Sequence, residues 1–292
     1  DGIAEHGGAR VFVPFALPGE RVEVALEGER GTLLSIIEPS PERAGPICAY
    51  FGTCGGCALQ HLSRASYAAF KRGLVANALE HAGVAAEVAE LVDATGTGRR
   101  RATLHVRKAG AGYMRARSHD VLDIAACPIL VPSLHKAAPR IARALQPLAG
   151  DSDASFTLTD TGLDLSIRSA RKLKPVALAE FARAHKLARL TFNGDPVFMA
   201  RPPAVKMGRA LVEIPPGSFL QATEAAEATL ARLVVEGVGK AKAVADLFSG
   251  VGPFALRLAE QSRVHAAVID RAGVAALQKT VSHSRGLKAV DA

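Results

Sequence analysis

The chain has 292 residues, 49% apolar and 22% charged, with a formal net charge of +8. This is globular composition with length for two or three domains. It contains no run near the roughly 18 apolar residues of a membrane span and no basic-then-apolar leader like a secretory signal. The positive balance favours polyanionic partners, and four cysteines in a chain with no sign of secretion point to the reduced cytoplasm.

Residues 1–37 alternate apolar and polar positions, with Pro and Gly at the breaks ("RVFVPFALPGERVEVALEGERGTLLSII"). This predicts several short strands in a small barrel. The opening "DGIAEHGG" lacks an initiator Met and begins in a Gly-rich turn, so a truncated start is expected. A Pro-rich joint, "EPSPERAGP", leads to "CAYFGTCGGCALQHL", in which Cys48, Cys54 and Cys57 form a C-x5-C-x2-C pattern. The next segment, "SRASYAAFKRGLVANALEHAG", predicts a helix capped at Ser63 or Ser66 and stopped by Gly83.

From Val88 to about Ile214 strands dominate. Basic strands are expected over 99–108 and 111–117, with a hairpin in "FTLTDTGLDLSI" turning at Thr161-Gly162. Helices are expected at about 132–148 and 175–186, which makes this an α+β segment. An Ala-rich helix over 223–236 follows. Then come strand, Gly-rich turn, helix, strand and helix, with "LKAVDA" beginning a third strand: the start of a doubly wound α/β sheet that stops early.

In "ADLFSGVGPFA" the strand ends near Asp246, Gly250 and Gly252 make the turn, and Pro253 suits a first helical position. Glycines there let a ligand approach the backbone, and a helix N-terminus offers free N–H groups. Gly250-x-Gly252-x-x-Ala255 formally meets the dinucleotide fingerprint. However, the late first glycine and Asp246 at the strand end resemble the nucleoside turn of S-adenosylmethionine (SAM) methyltransferases more closely. Asp270, ending the next strand, is the natural acceptor for ribose hydroxyls. The alternative is a tight turn with no ligand.

For the cysteines, a disulfide conflicts with a reduced compartment. Zinc favours two close Cys pairs, whereas here the one remaining thiol is Cys127 in "DIAACPIL". A [4Fe–4S] cluster often takes three thiolates from one loop and a fourth from afar, followed by Pro, as in Cys127-Pro128. Both metals stay open on spacing alone, with the cluster favoured.

Taken together, "DGIAEHGGARVFVPFALPGERVEV", the cysteine stretch, "YMRARSHDVLDIAACPIL", "PGSFLQAT" and "ADLFSGVGPFALRLA" resemble the bacterial RNA 5-methyluridine methyltransferases, particularly the 23S ribosomal RNA branch. The resemblance implies a TRAM-type OB-like barrel over 1–40, a central α+β domain over 41–215, and the start of a Rossmann-like SAM domain over 216–292. It implies a [4Fe–4S] cluster on Cys48, Cys54, Cys57 and Cys127. Gln221 would meet the methionine end of SAM, and Phe219 the target base. Phe248, Gly250 and Gly252, with Asp270, would hold the nucleoside. Arg99, Arg100 and Arg101 would grip RNA, either 23S rRNA or tRNA, in a monomeric enzyme.

Three departures stand out. Pro253 occupies a position that is usually Asn, Asp270 is displaced by one or two residues from the usual acidic ribose ligand, and no cysteine remains for covalent catalysis. In the family a Cys thiolate attacks uracil C6 and a base later removes the C5 proton; both groups would fall beyond Ala292, so an inactive fragment is expected. A non-catalytic RNA-binding Fe–S protein and an NAD-dependent Fe–S oxidoreductase are the competing readings.

Overall fold

The structure, a computed structural model, describes residues 2–291. The chain packs as two compact units, each assembled from two stretches: Asp1–Asp93 with Met114–Asp120, and Ala94–Tyr113 with Val121–Ala292.

The first unit opens with β1 (Gly2–His6), β2 (Ala9–Val13), β3 (Arg21–Glu27) and β4 (Arg30–Glu38), in the sheet order β1-β2-β4-β3. Gly7 and Gly8, both at positive φ, close the β1–β2 hairpin, as a two-residue turn of this hand requires. Val11 and Val13 of β2 are buried over Gly31, where a Cβ would lie 3.0 Å from Val13. Among the described residues β1 and β3 remain edges. The strands expected to close a barrel therefore form a four-stranded sheet.

Glu20 and Arg43 tie this sheet to the chain that follows. The Glu20 carboxylate accepts from Arg43 Nη2 (2.7 Å), Leu17 N and Ser40 N, while Arg43 Nη2 also donates to Phe15 O. The Arg43 guanidinium holds the Glu20 pKa at about 2, against an ordinary 4.5. Phe15 meets Phe51 and His61 edge-on beside this pair, and Phe51 lies tilted against His61, with ring centroids 5.2–5.9 Å apart. Helix α1 (Arg64–His81) follows, with Ser63 as N-cap accepting from Ser66 N, the first of the two expected caps.

In the second unit β5 (Arg101–Arg107), β6 (Gly110–Met114) and β7 (Val121–Asp123) precede α2 (Pro132–His135) and α3 (Ala137–Ala149). The single helix expected here is broken at Lys136. Then come β8 (Ser152–Thr159), β9 (Gly162–Ser169), α4 (Pro175–Ala184), β10 (Arg189–Phe192) and β11 (Asp195–Met199). The β8–β9 hairpin turns at Asp160-Thr161, one residue before the expected position, because Thr159 pairs with Gly162. Seven strands align as β11-β10-β9-β8-β5-β6-β7. One face is apolar: Leu104, Val106, Ala154, Phe156, Leu165 and Ile167 are buried on the side of α3.

The hairpin of β12 (Ala204–Met207) and β13 (Ala210–Glu213) is followed by α5 (Glu224–Val238), capped by Thr223. Next come β14 (Ala243–Leu247), α6 (Ala255–Leu258), β15 (Arg263–Ala267), α7 (Arg271–His283) and β16 (Val290–Asp291). β14, β15 and β16 lie parallel, as the strand–helix alternation implies. Met207, Val212, Ile214 and Leu220 share one apolar core with Val251, Leu256, Val264 and Leu277, so the hairpin before residue 216 packs with the α/β part.

Candidate functional site

Leu247 pairs with Ala267, so two loops leave the carboxyl ends of adjacent parallel strands side by side: 248–254 after β14 and 268–270 after β15. Ligands of open α/β sheets bind in this kind of crevice. Phe248, Gly250 and Gly252 all sit at positive φ (63°, 57° and 88°). The turn needs its two glycines for different reasons. A Cβ on Gly252 would lie 2.6 Å from Leu277 of α7, whereas a Cβ on Gly250 would meet nothing within 4 Å. Gly252 is thus required for packing, while Gly250 leaves space above the turn.

Two polar atoms at this turn are buried without a partner: Asp246 Oδ2 and Ser249 Oγ. Burial pushes the Asp246 pKa up, opposed in part by a backbone N–H from Ala255. Around them Leu247, Phe248 (86% exposed) and Ile269 (92%) present large apolar side chains to solvent. Buried polar groups are nearly always paired, and exposed apolar side chains this large seldom gather, so together they mark a ligand surface. Asp270 is exposed and serves as the N-cap of α7, accepting from Ala272 N (3.2 Å) and Gly273 N (3.1 Å).

The segment carrying Phe219 and Gln221 has no regular structure of its own and is held by the basic run. Arg100 N donates to Ala222 O, Arg100 Nε to Gln221 O (3.2 Å) and Arg101 Nη1 to Leu220 O (2.8 Å). Thr223 Oγ1 donates to Ala94 O (2.6 Å). Phe219 is 73% exposed, with the Arg101 guanidinium 5.4 Å from its ring centroid. Burial and the neighbouring Arg100 and Arg99 lower the Arg101 pKa.

The three arginines therefore divide their work. Arg99 is exposed and suits a phosphate, Arg101 covers Phe219, and Arg100 is buried. Arg100 Nη2 donates to Glu227 Oε2 at 2.6 Å. The other Glu227 oxygen accepts from Arg257 Nη2 (3.1 Å), and Arg257 Nη1 donates to Pro253 O (2.6 Å) at the exit of the Gly turn. Glu227, 2% exposed, thus joins the Gln221 segment to the Gly turn. The sequence reading missed it. The available signal was a carboxylate four residues before Ala231, on the helix face that carries Val234, Val235 and Val238 into the core.

The cysteine loop is built differently. Cys54 forms an isolated bridge with Arg115, Gly55 N donates to Met114 O and Ala116 N to Thr53 O, so residues 114–116 frame the loop. Gly56 N points at Cys54 Sγ (3.4 Å). Burial, with smaller contributions from Cys57 and Cys48, pushes the Cys54 thiol up. Three thiols share one framed loop, and the N–H···S contact is of the kind that tunes Fe–S thiolates, so the donor set is of the right chemistry for a metal. As they stand, no three His, Cys, Asp or Glu side chains among the described residues form a metal-binding group. Cys127 belongs to the second unit, where it is buried near Tyr113, 3.8 Å from its hydroxyl. Among the described residues no helix is long and apolar enough to cross a membrane.

No family model matches the chain. An uncharacterized RNA methyltransferase of Brucella suis is 43% identical over 300 residues, covering 99% of this chain and 72% of that protein. One of Rhizobium meliloti is 41% identical over 308 residues, covering 100% of this chain and 74% of the relative. The 23S rRNA (uracil(1939)-C(5))-methyltransferase of an Enterobacter strain is 30% identical over 299 residues, covering 94% and 68%. Among solved structures, the Pyrococcus abyssi tRNA (uracil-54, C5)-methyltransferase in complex with S-adenosyl-L-homocysteine superposes with a TM-score of 0.71 at 19% identity, over 97% of this chain and 75% of that one. That likeness shows a shared fold. The sequence relatives go further: this chain belongs to the RNA methyltransferase family.

Proposed function

We propose that the chain binds S-adenosylmethionine at the 247–252 turn and serves methylation of uridine C5 in RNA, with 23S rRNA the favoured substrate and tRNA the alternative. The observation that carries this reading is the pair of orphaned polar atoms, Asp246 Oδ2 and Ser249 Oγ, beside exposed Leu247, Phe248 and Ile269. An adenosine offers both an apolar ring face and hydroxyl donors to such a surface.

In this reading residues 1–40 and Arg99 grip RNA, and residues 216–292 hold the cofactor. Phe248 and Ile269 cover the adenine faces, and Asp270 can accept a ribose hydroxyl with the lone pairs left over from its capping bonds. Gln221 lies toward the methionine end. Phe219, backed by Arg101, meets an extruded uracil, because C5 and C6 are reached only from the ring face. The bound cofactor supplies an electrophilic methyl group.

Cys48, Cys54, Cys57 and Cys127 hold a [4Fe–4S] cluster in the same reading, which rests on their spacing and the framed loop. With all four committed, no thiol among residues 1–292 is left to attack C6. The chain then binds cofactor and RNA without transferring the methyl group by itself.

Calorimetric titration tests the cofactor site. S-adenosylhomocysteine should bind in the micromolar range while NADH does not, and Asp246→Asn should weaken the former at least tenfold. NADH binding without S-adenosylhomocysteine binding would overturn the reading in favour of an oxidoreductase.

A further inference from the structure

The seven-stranded sheet turns its apolar face toward α3 and leaves the other face polar, with an unusual register. Thr103 pairs with Ser155, Ser155 with Ser166, and Ser166 with Thr191. Four hydroxyl side chains therefore run in one row across β5, β8, β9 and β10. On one side of them lies the row His105, Asp153, Arg168, and on the other the row Arg101, Thr157, Asp164, Arg189. The two-residue period of a strand puts all three rows on the same face.

Antiparallel sheets often leave one face to water, so polarity alone means little. Two observations set this face apart. First, it is partly roofed. Arg189, paired with Asp164, also donates to Ile214 O (2.9 Å), and the chain continuing through Pro216 and Gly217 leaves an open groove of about 900 Å³ against the sheet. Second, Thr191 in the groove wall is 1% exposed, yet its Oγ1 has no partner, and Ser218 Oγ just past the roof is also buried and unpartnered. Hydroxyls withdrawn from water without an acceptor or donor are rare unless something else supplies one.

The chemistry of the lining selects the ligand. No aromatic ring lines the groove, so bases have no stacking platform there. Arg107 and Arg168 are cationic, and Asp153 is already engaged by Arg107 and His105; Asp151 is the remaining acidic neighbour. Hydroxyls that both donate and accept, beside guanidinium groups, match ribose 2′-hydroxyls and phosphate oxygens. The roof residues Pro216 and Gly217 immediately precede the Ser218-Phe219 segment. We propose that this groove is an RNA-backbone subsite, taking the ribose–phosphate of nucleotides that flank the target uridine. The inference rests on the reading of Phe219 as the uridine contact.

Fluorescence anisotropy with a short single-stranded RNA containing uridines, and with its 2′-deoxy counterpart, tests it on the full chain. The wild type should bind the RNA more tightly than the DNA. Arg168→Gln should weaken RNA binding about tenfold and reduce the slope of log K against log salt by about 0.7, as for one lost single-strand phosphate contact. Ser166→Val should cut the RNA-over-DNA preference several-fold, and the smaller Ser166→Ala serves as a second hydroxyl variant at the same groove position should the first fail to fold. S-adenosylhomocysteine affinity should stay within twofold in all of them. Variants that bind RNA like the wild type, or a wild type indifferent to the 2′-hydroxyl, would overturn the subsite. A wild type that binds no RNA at all would instead overturn the RNA reading on which it rests.

Discussion

The Gly turn and the cysteine loop are both ligand sites by sequence, but they are held in opposite ways. Around the Gly turn the protein completes its own scaffold. Glu227 accepts from Arg100 and Arg257, those arginines fix the Gln221 and Pro253 carbonyls, and Gly252 packs against Leu277. At the turn itself Asp246 Oδ2 and Ser249 Oγ are left buried without partners. In the cysteine loop the backbone is framed by residues 114–116, yet the thiols form no metal-binding group among the described residues and burial disfavours Cys54 as a thiolate. The first candidate site is preorganised by the protein itself, whereas on the proposed reading the second would need its ligand to draw the donors together.

The largest test of that contrast is Cys54→Ser. Iron measured after anaerobic purification should fall from about four atoms per chain to near zero, and the broad absorption near about 400 nm should vanish. S-adenosylhomocysteine affinity should remain within about twofold. A parallel loss of cofactor binding would break the distinction between the two sites.

The converse experiment is Glu227→Gln. Leaving the buried Arg100 and the partly buried Arg257 guanidinium groups without their carboxylate should cost about 3 kcal/mol in denaturant unfolding. It should also weaken S-adenosylhomocysteine about tenfold, because Gln221 and Pro253 lose their common anchor. Iron content should not change. A stability loss with unaltered affinity would reduce Glu227 to a structural residue.

The smallest effect is expected at Glu20→Gln, remote from the Gly turn in sequence. Glu20 titrates at about 2 in the folded chain against an ordinary 4.5, so its stabilising contribution is complete above pH 4.5 and is lost as pH falls toward 2. At pH 7 the variant should be about 2 kcal/mol less stable. The gap from wild type should narrow steadily between pH 4.5 and 2, as read from denaturant midpoints across that range. A gap independent of pH would remove the ionised carboxylate from the account.

Local signals carried well from sequence to structure. The Ser63 cap, the strand–Gly turn–strand order and the third parallel strand all depend on neighbours a few residues away. What sequence reading missed lies in long-range pairing. Arg99, Arg100 and Arg101 look alike as a run, and nothing nearby says that Arg100 will meet a carboxylate 127 positions later. The break of the expected 132–148 helix at Lys136 was likewise hidden by continuous apolar spacing. Asp270 has a second role that the sequence does not separate from the first: one carboxylate suits both a ribose and a helix N-terminus, and its capping bonds appear only in the fold.

The frame around the cysteines has a consequence for synthesis. Thr53, Cys54 and Gly55 pair with Met114, Arg115 and Ala116, about sixty residues downstream. At translation rates of roughly 5–20 residues per second, the thiols emerge from the ribosome some 3–12 s before the segment that braces them. During that interval the loop lacks the backbone partners that frame it, and its three thiols stand open to solvent oxidants.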